Sequence, residues 1–269
     1  MDILKNLCSL IVHRYNFLPQ DNDTIVSFES PHRFNKLYIA EPNSDLIPDY
    51  PIDQQLFHIR MVNSAGQREA ASLLVKKRYS WRGYCVDTSL ATEPNQITLI
   101  AETAEETVGT MTLCFDGDSG LPADENFRDQ LDELRAQGRR ISEPSRLAID
   151  DNVPKRVFAA LSHICYIYAC NIHGFTDYVI EVNPRHAIFY KRMLGFKEIG
   201  AQRICTRVGA PAVLLRLKLE YMDAQIRRFG GLMEQHGKER SFYPYFFSKK
   251  DEQGITKRLR NGRNWTSPA

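Results

Sequence analysis

The sequence predicts an α+β fold, a mixed central β-sheet flanked by helices, with an N-terminal arm and a C-terminal helical and basic tail. Segments of helical and strand period follow one another as helix, two strands, helix, strand, helix, strand, helix, two strands. The helical segment 155–173 is apolar on most faces, as a helix covered by other layers must be. The segment 178–182 is a nearly continuous apolar run of the kind found in a central strand.

Composition narrows the class. The 269 residues carry 35 Lys and Arg against 33 Asp and Glu, a net charge of +2, with 43% apolar and 25% charged residues. This is an ordinary globular balance, which excludes collagen-like, disordered and disulfide-scaffold chains. Cys8, Cys85, Cys114, Cys165, Cys170 and Cys205 are scattered, with no Cys-x-x-Cys pair and no His-x-x-x-His beside them. They read as reduced thiols of a cytosolic protein, with no metal site. The most apolar stretch, 158–170, is broken by Ser162 and His163 and falls short of the roughly 20 apolar residues that span a bilayer. The N-terminus lacks the basic and apolar regions of a secretory signal, so a cytoplasmic location is expected.

The elements follow in order. Residues 1–65 are polar and punctuated by Pro19, Pro31, Pro42, Pro48 and Pro51, with at most a short helix near 3–15, and read as an extended arm. Over 67–84, Ala71, Leu74, Val75 and Tyr79 recur at helical spacing. Strands are predicted over 96–102 and 107–115, joined by a short polar turn as an antiparallel hairpin. After the turn cluster at 116–120, Asp124 is expected to cap an amphipathic helix that carries Phe127, Leu131 and Leu134 and stops at Gly138. A strand over 140–150 precedes the long helix 155–173 and the central strand. Asn183 as cap and Pro184 at the first helical position then open a helix ending at Gly195. Strand-like segments 196–200 and 204–219 follow, the second broken by Gly209-Ala210-Pro211.

This organisation divides the chain into an N-terminal extension (1–65), a core (66–219) and a C-terminal helical and basic tail (220–269). Residues 238–269 hold eight basic side chains against three acids, leaving 27 basic against 30 acidic residues in the rest. Such a tail can touch an acidic membrane or an acidic protein, or simply be solvated. Peripheral membrane contact stays open; a nucleic-acid partner is not expected.

Three passages carry chemistry. In the segment 182–196, Asn183 opens a helix, Tyr190 follows seven residues later, and Gly195-Phe196 leads into the next strand. This resembles the strand–helix–strand signature of GNAT-type N-acyltransferases and makes the expected fold GNAT-like. Where coenzyme A-dependent members carry a glycine-rich loop whose amides cradle pyrophosphate, this chain reads Leu147-Ala-Ile-Asp-Asp-Asn-Val-Pro-Lys-Arg-Val-Phe158, without glycine and with two consecutive acids. The third passage, Ile141-Ser-Glu-Pro-Ser-Arg-Leu147, looks like the Glu-x-Ser-Arg-Phe motif of acyl-homoserine-lactone autoinducer synthases, with Leu147 in place of Phe. Together with Gly120-Leu-Pro-Ala-Asp124 it resembles more closely the long-chain N-acyl amino acid synthase family, over roughly 66–219.

The resemblance implies transfer of a fatty acyl chain to the amine of an amino acid. It implies a donor carried on the phosphopantetheine of acyl carrier protein, with no resident cofactor. An autoinducer synthase and a non-catalytic acyl-binding module are the alternatives. From the residues, Pro144 cannot donate to a β-ladder and suggests a bulge, which could turn Glu143 and Arg146 toward one cleft as a pair. Glu143 is then the candidate general base for the amine, and Arg146 the bidentate partner of a substrate carboxylate. Tyr190 is the candidate acid for the departing thiolate. Ser145, Arg78 and Trp81 join Arg146 as expected substrate-binding residues, and Lys155, Arg156, Arg185, Lys191 and Arg192 form the expected docking patch for an acidic carrier protein.

Overall fold

The computed structural model describes residues 23–31, 54–80, 95–233 and 239–261. Trp81 and the short helix expected near 3–15 lie outside the described residues. Nine strands form one mixed sheet: β1 (Thr24–Pro31), β2 (Gln54–Met61), β3 (Gln96–Glu102), β4 (Thr107–Phe115), β5 (Ile141–Ile149), β6 (Asp177–Val182), β7 (Lys197–Glu198), β8 (Arg203–Cys205) and β9 (Ala210–Lys218). The order across the sheet is β1-β2-β3-β4-β5-β6-β9-β7, with β8 paired to β9. Among the described residues six α-helices flank the sheet: α1 (Ala65–Ser80), α2 (Asp124–Ala136), α3 (Lys155–Tyr166), α4 (Pro184–Leu194), α5 (Leu219–Phe229) and α6 (Lys249–Asn261). The expected α+β, GNAT-like architecture is the one observed.

The two sheet faces carry separate cores. Phe127, Leu131 and Leu134 of α2 pack with Cys114, Ile141, Val179 and Leu214. On the opposite face, α3 buries Val157, Leu161, Ile164 and Cys165 with Met111, Leu113, Ile180 and Leu215. Alternate residues of β4 and β6 therefore feed alternate cores, as the two-residue strand period requires. Helix α1 lies on the α2 side, where Leu74, Val75 and Tyr79 meet Ala148.

Local chemistry explains the helix ends. Asn183 Oδ1 accepts the Arg185 N–H, Pro184 occupies the first turn, and Gly195 ends α4 at φ +84°. Helix α3 continues as a π-helical segment, Ile167–Ile172. The expected cap at Asp124 is corrected. Asp124 is already helical, and its Oδ2 accepts the Leu121 N–H at 2.7 Å and pairs with Arg135 at 2.7 Å, closing the preceding turn instead.

The extended arm expected over 1–65 is also corrected for its described residues, because β1 and β2 pair antiparallel and extend the sheet from β3. Phe28 stacks on Phe57 at 5.7 Å, and Arg258 donates to the Ile25 carbonyl at 2.9 Å. The basic tail is partly spent inside the molecule. Lys249 bridges Asp223 (2.5 Å) and Glu252 (2.6 Å), and buried Glu252 meets His163 Nε2 at 3.1 Å and Asn171 at 2.7 Å. The Phe247 N–H donates to His163 Nδ1 at 3.1 Å. Burial holds the His163 pKa below its ordinary value, so the neutral ring with its proton on Nε2 satisfies both contacts. No described helix is long and apolar enough to cross a membrane.

Candidate active site

Strands β5 and β6 are the sheet's parallel pair, and they pair only at Ile141↔Asp177 and Ser142↔Tyr178. Beyond those rungs β5 continues to Ile149 and β6 to Val182 without a common ladder, so the sheet splays. The vertex is pinned by buried Asp177, which accepts from Arg139 (2.5 Å), Thr176 (2.6 Å) and Arg216 (2.8 Å). Burial raises the Asp177 pKa, but these donors outweigh it and hold the carboxyl below its ordinary value.

A cavity of about 110 Å³ occupies the splay. Tyr79 of α1, Ser145 and Arg146 of β5, Glu181 of β6 and Tyr190 of α4 contribute polar lining. Met111, Phe158, Cys165, Leu217 and Met222 add apolar lining, with Ser162 and Tyr178 among them. Because Tyr79 belongs to one layer and Phe158 and Cys165 to the other, the cavity passes through the sheet.

The strand bulge predicted beside Pro144 falls two residues later. Thr110 pairs with Ala148 and Thr112 with Ser145, so β5 carries one extra residue, and Arg146 takes φ +48°. A non-glycine residue in that region is strained. The kink places Arg146 at the cavity, where its Nη1 is buried without a hydrogen-bond partner. The expected Glu143–Arg146 pairing is therefore corrected. Glu143 does not line the cavity; it faces the α2 layer, where Oε2 accepts the Ala123 N–H at 2.8 Å. At 2% exposure, burial drives the Glu143 pKa up to about 8, against the opposing pull of the Ala123 N–H and the Arg207 guanidinium.

The link between the two compartments is Glu181. Its Oε1 accepts from Asn126 at 3.1 Å, its Oε2 contacts Arg207, and its side chain is 4% exposed. Arg207, in the turn between β8 and β9, also meets the Pro122 carbonyl and lies 3.6 Å from Glu125. Glu181 and Arg207 both act electrostatically on Glu143. Sequence reasoning passed over both. A charged residue inside the apolar run 178–182 was the available signal for Glu181; nothing local marked Arg207.

The remaining expected residues separate. Ser145 and Tyr190 line the cavity, Ser145 Oγ lying 3.7 Å from Cys114 Sγ and Tyr190 packing edge-on against Phe189 and Phe196. Arg78 does not line it; it pairs with Asp151 at 2.6 Å, while the next residue, Tyr79, takes the place at the cavity. Lys155, Arg185, Lys191 and Arg192 are exposed. Arg156 is corrected out of the docking patch, being buried with Nη1 donating to the Glu29 carbonyl at 3.2 Å and its guanidinium over the Phe28 ring. Among the described residues no cluster of three His, Cys, Asp or Glu side chains is arranged to hold a metal. Burial also pushes the Cys165 thiol well up, which removes it as a nucleophile.

A family model described as N-acyl amino acid synthase FeeM matches residues 70–218, more than half of the chain. Among solved structures the chain is similar to FeeM, an N-acyl amino acid synthase from uncultured soil microbes. The identity is 29% and the TM-score 0.57, with 62% of this chain and 93% of that chain covered. It is also similar to the AHL synthase LasI (13% identity, TM-score 0.41, 61% of this chain and 90% of that one). A third likeness is to an aminoglycoside N(6')acetyltransferase from Legionella pneumophila (14% identity, TM-score 0.44, 63% and 95%). No curated protein sequence matches it.

Proposed function

We propose, on the premise that this chain belongs to the N-acyl amino acid synthase FeeM family, that it moves a fatty acyl chain from a carrier-protein thioester to the amine of an amino acid. The observation that carries this reading is the buried, unpartnered Nη1 of Arg146 on a cavity that is otherwise lined largely by apolar side chains. A buried guanidinium without an acceptor is costly in the free protein. An amino acid carboxylate supplies the missing acceptor, and the apolar lining suits the acyl chain.

The chemistry follows from the splay. The amine nitrogen attacks the thioester carbonyl, the carbon–nitrogen bond forms, and the carbon–sulfur bond breaks. Glu143, with its pKa near 8, does not line the cavity and is assigned the ammonium proton only through an intervening water. Backbone N–H groups of β6 beyond Tyr178, left without a ladder partner from β5, are available to the tetrahedral oxyanion. Tyr190 lines the cavity and is assigned the proton delivered to the departing thiolate.

Two features support a carrier-bound donor over free coenzyme A. The loop leading into α3 has no glycine, its N-cap Pro154 lacks an N–H, and Asp150 and Asp151 already engage Lys77 (2.8 Å) and Arg78 (2.6 Å). That leaves little to hold a pyrophosphate. On α4, exposed Ile188 (57%) and Phe189 (38%) lie among Arg185, Lys191 and Arg192. Together with Lys155 they offer an apolar centre and basic rim to an acidic partner.

The test is mass spectrometry of lipids from cells expressing the wild type or the Arg146→Met variant. A new N-acylated amino acid in the first and its loss in the second is expected. No new acylated amine in either would reject the reading.

A further inference from the structure

The cavity lining contains one feature that an unsubstituted acyl chain does not explain. Tyr178 is 3% exposed and lines the cavity, and its hydroxyl is buried without a hydrogen-bond partner. Buried tyrosine hydroxyls normally find one. Tyr166 Oη donates to Asp223 at 3.1 Å, and Tyr243 Oη donates to the Leu194 carbonyl at 2.7 Å. Cys165, Cys170 and Tyr166 lie near enough to act electrostatically on the Tyr178 hydroxyl, yet none of them hydrogen-bonds to it. For packing alone phenylalanine would serve better, since it fills the same volume without desolvating a hydroxyl.

Position adds to the argument. Tyr178 sits on the last rung that joins β6 to β5, opposite Ser142. Tyr178 therefore stands at the vertex of the splay, where the β5–β6 ladder ends, and lines the cavity there. Burial pushes its pKa well up, so the hydroxyl stays protonated and can both donate and accept.

We propose that Tyr178 reads an oxygen carried by the acyl chain, its Oη hydrogen-bonding a hydroxyl or keto group, so that the preferred donor is an oxygenated fatty acyl chain. This rests on the reading that the cavity holds the acyl chain, and it goes further by naming the chemical class of that chain. An apolar pocket distinguishes poorly between chains differing by a methylene, whereas a buried polar group left unpaired discriminates strongly against a ligand lacking its partner.

The experiment uses the purified full chain and saturated fatty acids of one length, plain or with a single hydroxyl walked from the carboxylate to the far end. Calorimetric titration gives the dissociation constants without requiring turnover. At one position the hydroxylated acid is expected to bind the wild type roughly tenfold or more tightly than the plain acid. Tyr178→Phe should bring that ratio to about one, and should melt no lower than the wild type. Equal binding of plain and hydroxylated acids, a preference that survives Tyr178→Phe, or binding of neither acid would overturn the proposal. Amide formation from acyl thioesters is measured alongside. Turnover without an oxygen preference would reject the role of Tyr178 and leave the transferase reading standing. A Tyr178-dependent preference without amide formation from any amino acid would do the reverse.

Discussion

Glu143 and Arg146 lie three residues apart on β5 and serve different compartments. Glu143 accepts the Ala123 N–H beneath α2, while Arg146, turned by its positive φ, lines the cavity with an unpartnered Nη1. The carboxylate is consequently not neutralised by Arg146. Burial dominates its titration, and the Arg146 Nη1 stays without a hydrogen-bond partner.

The titration of Glu143 has a stability consequence with a definite sign. Its folded pKa, about 8, lies above its ordinary value of 4.5. The proton is therefore held more tightly in the folded state, and the associated stability is lost as pH rises from about 4.5 through 8. Glu143→Gln, which cannot ionise and can still accept the Ala123 N–H, should gain in melting temperature relative to the wild type between pH 5 and pH 9. Amide formation by the wild type should rise with an apparent pKa near 8, and the variant should lose on the order of a hundredfold in kcat. A melting difference independent of pH would show that Glu143 is already ionised at low pH.

Arg146 behaves differently. Arg146 is half-buried and its Nη1 has no hydrogen-bond partner, so Arg146→Met should leave unfolding stability unchanged or slightly higher. The KM for the amino acid should rise by about one to two orders of magnitude. Urea unfolding and steady-state kinetics measure the two effects separately. A large stability loss with unchanged KM would make Arg146 a structural residue.

The surface of α4 gives a third expectation. Reversing Arg185 and Arg192 to Glu should lower kcat/KM for carrier-bound acyl donors by roughly tenfold and weaken its salt dependence, with small acyl thioesters unaffected. Arg156→Ala should instead lower the melting temperature, since Arg156 is buried against Glu29 and Phe28. Equal losses with both donor types would place the helix outside the docking surface.

Gly195 tests the local geometry behind Tyr190. At φ +84°, a Cβ there would lie 2.4 Å from the Tyr221 ring. Gly195→Ala should destabilise the protein by about 1–2 kcal/mol from backbone strain alone, and by more from the clash, measured as a fall in the urea midpoint. A neutral effect would mean that the turn after α4 relaxes freely.

The core elements were legible because their signals are local. The cap Asn183, Pro184 and Gly195 delimit α4, and β3 and β4 occupy the spans their alternation and polar turn predicted. The strands before the core were missed because prolines dominate their surroundings. Yet Phe57, Ile59 and Met61 alternate with His58 and Arg60 in the two-residue strand pattern, and all three are buried. At the site, residue types were readable and directions were not. Pro144 marked an irregular strand, but the extra residue sits at Arg146, and that displacement decides which side chain reaches the cavity. Arg207 comes from a turn 64 positions after Glu143 in the chain, a distance over which local periodicity carries no information.

The donor decides the central claim. Purified protein should be given one fatty acyl chain, attached either to acyl carrier protein or to coenzyme A, with an amino acid acceptor, and kcat/KM compared. The structure predicts that the carrier-bound donor is used at least about tenfold better, and that added free coenzyme A does not inhibit. Equal or better use of the coenzyme A thioester, with inhibition by coenzyme A, would contradict it.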